Sequence, residues 1–379
     1  MSSVFVISAP AETTKEEVVN SLRSKIAGQA EIRPFRLPDF KIGTLDSLVV
    51  LSDDLGKYDQ AFEGITNKIA ENLKSLVHND VEQWKNNLIV DDKSVDDYLQ
   101  SFQWNDMKYR TDKSLREICD IIVQDVNSID SLMKSRMTKY NLVKSQLTCL
   151  QRKQTGNLSV KSLVDIVKKE HFVLNSEYLT TLLVAVPKSL VKEWYGCYET
   201  LTQMVVPRSS ELIAQDDEYS LFNVTLFKKV VDDFKKACRE RKYQVRDFTF
   251  DENRISQEQK DLAAISAEEK DQWQTSLRLC KANFGESFSC WMHIKALRVY
   301  VESILRYGLP PNFQPMIIKP KNKNERKVRE VLAQHYAKLG EKNNEEKKKK
   351  KEQIDENIQL LLGDKDYYPY VSFDINWKV

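Results

Sequence analysis

The side chains best suited to proton transfer or metal ligation near neutral pH are four histidines, His78, His171, His293 and His335. They lie far apart, and none is followed by a histidine or cysteine three or four positions on, the spacing that puts two ligands on one helix face. His293 borders the apolar side of a strongly patterned segment, where a hydrogen-bonded packing role is expected. Six cysteines, at 119, 149, 197, 238, 280 and 290, lack CxxC or zinc-ligand spacing. On a helix Cys280 and Cys290 are separated by about 15 Å of rise, too far for a bridge, so reduced and buried thiols are expected. Paired carboxylates occur at Asp53-Asp54, Asp91-Asp92, Asp216-Asp217 and Asp232-Asp233. Adjacent side chains on a helix or strand point apart, so these read as solvated faces or helix starts rather than metal clamps. No GxxxxGK[ST] loop, GxGxxG turn, HExxH pair or GxSxG elbow is present. The expectation is a chain with no catalytic residue, no cofactor and no metal.

Composition says what must hold such a surface together. At 379 residues the chain can form two or three compact bodies or one extended rod. Charged residues make up 30%, with only 10 Gly and 10 Pro, which favours long solvated helices over loops. Lys and Arg total 58 against 56 Asp and Glu, and a net charge of +2 gives no global field toward nucleic acid or an anionic membrane. The first 17 residues lack a basic region with a long apolar run, and no stretch approaches the roughly 18 apolar residues of a spanning helix. A cytosolic location is expected, with any membrane attachment made through another chain.

In order, residues 4–8 form a strand candidate, and Thr14 with Glu17 makes a capping box opening a helix to about residue 26. Strand candidates at 31–37 and 47–51 complete a small β-α-β-β unit. From Asp54 onward Leu55, Tyr58, Phe62, Ile65, Ile69, Leu73 and Leu76 recur at helical steps. Residues 77–94 read as a connection, and 95–109, with Phe102 and Trp104, as aromatic bulk docked on the same body. The stripe Leu115, Ile118, Ile122, Val126, Ile129, Met133, Met137, Tyr140, Leu147 and Leu150 predicts a helix on the order of 60 Å long. Trp273, Leu277, Cys280, Phe284, Phe288 and Trp291 repeat that spacing downstream, so the two segments are expected to pair antiparallel. Between them lie strand candidates at 180–186, 205–207, 221–226 and 243–250 and helices at 191–201 and 228–242. After Pro311, strands at 315–318 and 371–375 flank a helix at 325–339 and return to the first body. The tract EKNNEEKKKKKE at 341–352 reads as a solvated insertion, since it cannot bury enough surface to order itself.

The most informative stretch is WMHIKALRVYVESILRYGLPP at 291–311. Ile294, Leu297, Val301, Ile304 and Leu305 share one helical face, and Lys295, Arg298, Glu302 and Arg306 another. Glu302 is placed to pair with Arg298 and Arg306, each four residues away, and Gly308, Pro310 and Pro311 supply a stop. Residues 293–311 closely resemble the signature of the C subunit of the eukaryotic vacuolar-type proton ATPase. FRLPDFKIGTLDSLVVLSDDL at 35–55, QRKQTGNLSVKSLVDIVKKEHFVLNSEYLTTLLVAVPKSL at 151–190 and DDEYSLFNVTLFKKVVDDFKKACRERKY at 216–243 match in the same order, with wording most similar to fungal members.

Together these readings give an expected α+β fold shaped as an elongated dumbbell. A mixed α/β foot is formed by both termini, residues 1–110 and 309–379. A long antiparallel two-helix stalk rises over 111–155 and descends over 253–308, with an α+β head inserted at 156–252. The resemblance implies a non-catalytic stator that bridges peripheral stalks of subunits E and G to the cytosolic domain of the membrane a subunit. It further implies support for ATP-driven proton transport and reversible assembly on the cytosolic face of the vacuolar membrane. Exposed polar positions projected as partner contacts are Lys188, Lys192, Glu193, Asp216 and Asp217 in the head. Lys295, Arg298 and Arg306 in the patterned helix join them. The alternatives are a cytosolic enzyme with an unrecognised site, and a filament- or nucleic-acid-binding adaptor using the lysine tract.

Overall fold

The computed structural model describes residues 4–11, 14–26, 28–321, 324–337, 339 and 368–377. The lysine tract at 341–352 lies outside them. In chain order the elements begin with β1 (Val4–Pro10), α1 (Lys15–Lys25), β2 (Ala30–Pro34), α2 (Leu45–Leu76), α3 (Val81–Asn87), β3 (Ile89–Val90), β4 (Lys93–Ser94) and α4 (Val95–Gln100). Next come α5 (Leu115–Gln154), β5 (Leu179–Pro187), α6 (Val191–Cys197), β6 (Leu212–Gln215), β7 (Tyr219–Phe227), α7 (Val231–Glu240) and β8 (Gln244–Arg246). The chain ends with α8 (Glu252–Tyr307), β9 (Phe313–Pro320), α9 (Glu325–His335) and β10 (Val371–Ile375). The expected mixture of helices and strands is what forms, its sheets antiparallel, divided into one unit of Met1–Met137 with Thr275–Val379 and another of Thr138–Gln274.

In the first unit an antiparallel sheet has the order β10-β1-β9-β2. Val4 faces Ile375 and Phe5 faces Ile318, so β1 lies between β10 and β9. One sheet face carries Phe5, Ile7, Ile32, Met316 and Ile318 against Val19 and Leu22 of α1 and Val328 and Leu332 of α9. The Thr14–Glu17 capping box opens α1 as expected. On the other face Tyr307, ending α8, donates to the Ser8 carbonyl at 2.6 Å and accepts the Val371 N–H at 3.1 Å. Along α8 runs α2, linked by Thr66 to Ser287 at 2.7 Å and by Ser52 to Glu302 at 2.5 Å. Gly285 lets α8 approach β3 closely, since a Cβ there would stand 2.9 Å from the Ile89 carbonyl oxygen.

Three local expectations are corrected. Residues 47–51 are not a strand but the first turns of α2, opened by Thr44, whose side chain accepts the Ser47 N–H. Leu48, Leu51 and Leu55 then fall on one buried face, while the valines that suggest a strand point outward. The connection at 77–94 contains α3, capped by Asp80, which brings Trp84 under α2 with its indole N–H on the Ala70 carbonyl at 2.9 Å. Around 205 only an isolated bridge, Val205 with Leu226, forms.

In the second unit the sheet order is β6-β7-β5-β8, with Leu183 opposite Asn223 and Val184 opposite Val245. β5 and β7 are each followed by a 3-10 turn and a short helix that returns over the sheet. Trp194 and Phe234, each seven residues beyond the last residue of its strand, pack on Val184, Val186, Phe222 and Val224. The opposite face holds Leu183, Ala185 and Leu221 against Leu158, Leu163 and Val167.

Candidate functional site

From Cys290 to Ile304 α8 is enclosed on nearly all sides: Trp291, Met292, Ile294, Ala296, Leu297, Val299 and Val301 are all buried. A helix covered all round belongs inside a body, and a charge it carries must be paired there. Lys295, 2% exposed, is that charge. Its ammonium lies 3.0 Å from the Asp59 carboxylate and donates to the Asp374 carbonyl at 2.8 Å. Asp59, 3% exposed on α2, also accepts the Trp291 indole N–H at 2.7 Å and a guanidinium N–H of Arg298 at 2.6 Å. Burial pushes the Lys295 pKa down, with the charge of Asp59 and its hydrogen bond opposing.

The ladder expected between Arg298, Glu302 and Arg306 is therefore replaced by longer-range partners. Arg298 turns to Asp59 with its guanidinium 4.1 Å from the Phe373 ring centre, and Glu302 accepts the Ser52 hydroxyl. Arg306 donates to the Tyr368 carbonyl at 3.1 Å. Because α2 and β10 cover this face, Lys295 and Arg298 act as internal counter-ions and are corrected from the projected partner contacts. Arg306 stays half-buried at the end of the helix.

His293 sits among the rings of Phe102, Trp104 and Tyr109, with centroids 5.2, 4.8 and 5.0 Å away. Its Nδ1 lies 2.7 Å from the Ser289 carbonyl oxygen and its Nε2 accepts the Asn105 N–H at 3.1 Å, which assigns the proton to Nδ1. Burial pushes its pKa down to about 4. This is the hydrogen-bonded packing role expected for it. Five of the six cysteines are buried, and all six are free. Among the described residues no group of three or more His, Cys, Asp or Glu could hold a metal. A groove of about 680 Å³ between α1 and the loops after β2 and α8 is bordered by Val19, Arg23, Phe35, Tyr300 and Phe313, with no histidine or cysteine.

In the second unit the projected contacts fall in two places. The Lys188 N–H donates to the Glu218 carbonyl at 2.9 Å, joining the end of β5 to the turn before β7, so Lys188, Asp216 and Asp217 share one end of the sheet. Lys192 and Glu193 are exposed at the start of α6, Glu193 being 3.6 Å from Arg241. Lys188 and Asp217 are exposed as projected. Asp216 is not: it is half-buried, and its carboxylate accepts backbone N–H groups of Leu158, Glu218 and Tyr219. Burial pushes its pKa up, but those N–H groups outweigh it and hold the carboxyl below its ordinary value. Asp216 thus fastens the loop and is corrected as a free contact. Asp216→Ala is expected to cost about 1–2 kcal/mol in urea unfolding, against less than about 0.5 kcal/mol for Asp217→Ala. Equal costs would contradict the fastening role.

No single side chain assigns this molecule, whereas the whole sequence does. The family model for the C subunit of V-ATPase matches residues 4–371. The chain belongs to the V-ATPase C-subunit family. It is 43% identical over 378 residues to the V-type proton ATPase C subunit of Manduca sexta, covering 99% of this chain and 98% of that one. Identity is 41% over 382 residues with the C 1-B subunit of Danio rerio, covering 99% and 98%. With the C 1 subunit of Rattus norvegicus it is 42% over 379 residues, again covering 99% and 98%. A looser likeness, with TM-score 0.35 and 12% identity over 88% of this chain and 98% of the other, is to a crystal structure of the cytoplasmic N-terminal domain of the V-ATPase I subunit, a homolog of the a subunit.

Membership makes the chain a peripheral subunit of a proton-transporting V-ATPase. No helix among the described residues is long and apolar enough to cross a membrane. In this V-ATPase chain the stretch that carries the resemblance, 293–311, contains most of the enclosed part of α8 and supplies the cations that Asp59 binds. The signature is at least in part a folding signature. Sequence reasoning missed Asp59, yet one signal for the cluster was available. Around Lys295 the apolar residues occupy every side of the helix, which leaves its ammonium no route to water.

Proposed function

We propose that the chain is the non-catalytic connector of a V-type proton ATPase, a stator element tying peripheral stalks of subunits E and G to the cytosolic domain of the membrane a subunit. The family match over residues 4–371 carries this reading. A rotary motor delivers torque only when its stationary part resists being dragged round, and a bridge between the stalks and the membrane sector supplies that resistance. Two units with separate apolar cores offer grips for different partners. Several modest contacts on one spacer gain avidity through effective concentration, and loss of one can release the whole piece, which suits reversible assembly.

In this proposal the chain is an elongated spacer working from the cytoplasm at the vacuolar membrane. Its foot is built from 1–110 and 309–379, its stalk from 111–155 and 253–308, and its head from 156–252. Lys188, Lys192, Glu193 and Asp217 serve as head contacts and Arg306 as a foot contact. The test is purification of pump membranes from energised and starved cells. The E, G and a subunits are expected to travel with the chain in the first and to lose it in the second. Deleting the chain is expected to abolish proton pumping and sector assembly; intact pumping and assembly in its absence would end the proposal.

A further inference from the structure

The helix α2 has two apolar faces, and its fold accounts for only one. Leu48, Leu51 and Leu55 are buried, whereas Leu45, Val49 and Val50 are 55%, 52% and 61% exposed. At about 100° per residue, Leu45, Asp46, Val49, Val50 and Asp53 fall within one arc of about 140°, opposite the buried face. Farther along the helix the same arc carries Gly56, Lys57, Gln60 and Gly64, so the apolar surface is confined to the first turns. Helix formation does not explain the exposed pair, since valine is a weak helix former and alanine or lysine would serve better.

The acids bracketing this patch are informative. Asp46, in the first turn, is favoured there by the helix dipole, but Asp53, two turns further in, lies beyond its reach. Neither has an ion-pair partner among the described residues, while the neighbouring Asp54 is held by Arg116 and lies 3.8 Å from Lys57. An exposed apolar strip flanked by unpaired acids complements an amphipathic helix whose apolar face is bordered by Lys or Arg.

We propose that the first turns of α2 are a docking face for a basic amphipathic helix of another pump subunit, packing on Leu45, Val49 and Val50 with its cations beside Asp46 and Asp53. This rests on the reading of the chain as a pump subunit. The test uses the purified full chain, its V49S/V50S double variant and its Asp53→Lys variant, with circular dichroism and melting to establish that each is folded. Binding to the purified peripheral sector lacking this chain is measured at low and high salt. V49S/V50S is expected to bind at least about tenfold more weakly at both salt concentrations. Asp53→Lys is expected to bind about three- to tenfold more weakly at low salt, with the difference shrinking at high salt.

Folded variants that bind like the original chain would overturn the docking face and leave the pump-subunit reading standing. An original chain that fails to bind the sector would overturn the docking face alone, since the pump-subunit reading lets loss of the membrane contact release the whole chain. Sedimentation and vesicle flotation complete the test. If the substitutions instead abolish self-association or attachment to anionic vesicles, the patch serves a second copy or a lipid surface, and the helix partner is wrong.

Discussion

Asp59→Asn is expected to destabilise the first unit by about 3–5 kcal/mol, the usual cost of leaving buried charge without its counter-ion. Asparagine keeps the shape of the side chain but removes the charge that Lys295 and Arg298 share, in a site where the Lys295 ammonium is nearly sealed from water. It also weakens the acceptor for the Trp291 indole, so tryptophan fluorescence reports the loss directly. Lys295→Met is expected to cost much less, about 1–2 kcal/mol, because Asp59 keeps Arg298 and Trp291 and the new side chain suits an apolar enclosure. Urea unfolding of the two variants separates the cases. If Lys295→Met proves as damaging as Asp59→Asn, the carboxylate is not the organising member of the cluster.

Acidification should act through His293. Its pKa in the folded chain, about 4, lies below the ordinary 6.5, because burial among Phe102, Trp104 and Tyr109 disfavours the imidazolium. The hydrogen bond to the Ser289 carbonyl works the other way, and the Lys108 charge adds to the lowering. A depressed folded pKa means that the unfolded chain takes up this proton first. The neutral ring's contribution is therefore complete above pH 6.5 and drains away as pH falls toward about 4. At 1.36 kcal/mol per pH unit the full loss is about 3 kcal/mol. His293→Gln removes that titration. The stability difference between original and variant should shrink by about 3 kcal/mol between pH 7 and pH 4, and a difference independent of pH would contradict the assignment.

Local patterns are legible where the partners of a residue lie nearby or on one face of a regular element. The capping box of Thr14 with Glu17 marks the start of α1, and the short run at 371–375 is β10. Where an outward residue is itself apolar, the signal inverts. Val49 and Val50 give residues 47–51 the look of a strand because β-branched side chains suggest a strand core, although the core there is Leu48 and Leu51. Charges mislead for a different reason. Lysine and arginine at helical spacing read as a solvated stripe closed by Glu302, but Lys295 and Arg298 answer to Asp59, more than two hundred residues earlier. Pairing across that separation follows from packing, which spacing within one segment does not encode. Asp216 shows the same limit at shorter range, since its N–H donors include Leu158 from a different loop.

The arrangement of the first sheet has a consequence for how the protein is made. β1 is translated well before both strands that flank it, β9 and β10, which follow the whole of the second unit in the sequence. Until then its apolar side chains wait without their neighbours, while the second unit, contiguous in sequence, can close on its own. Nascent chains therefore need shielding of this segment throughout elongation. A stop codon shortly before Val371 should leave a product whose second unit is folded and whose β1, deprived of β10, is a target for chaperones and proteases.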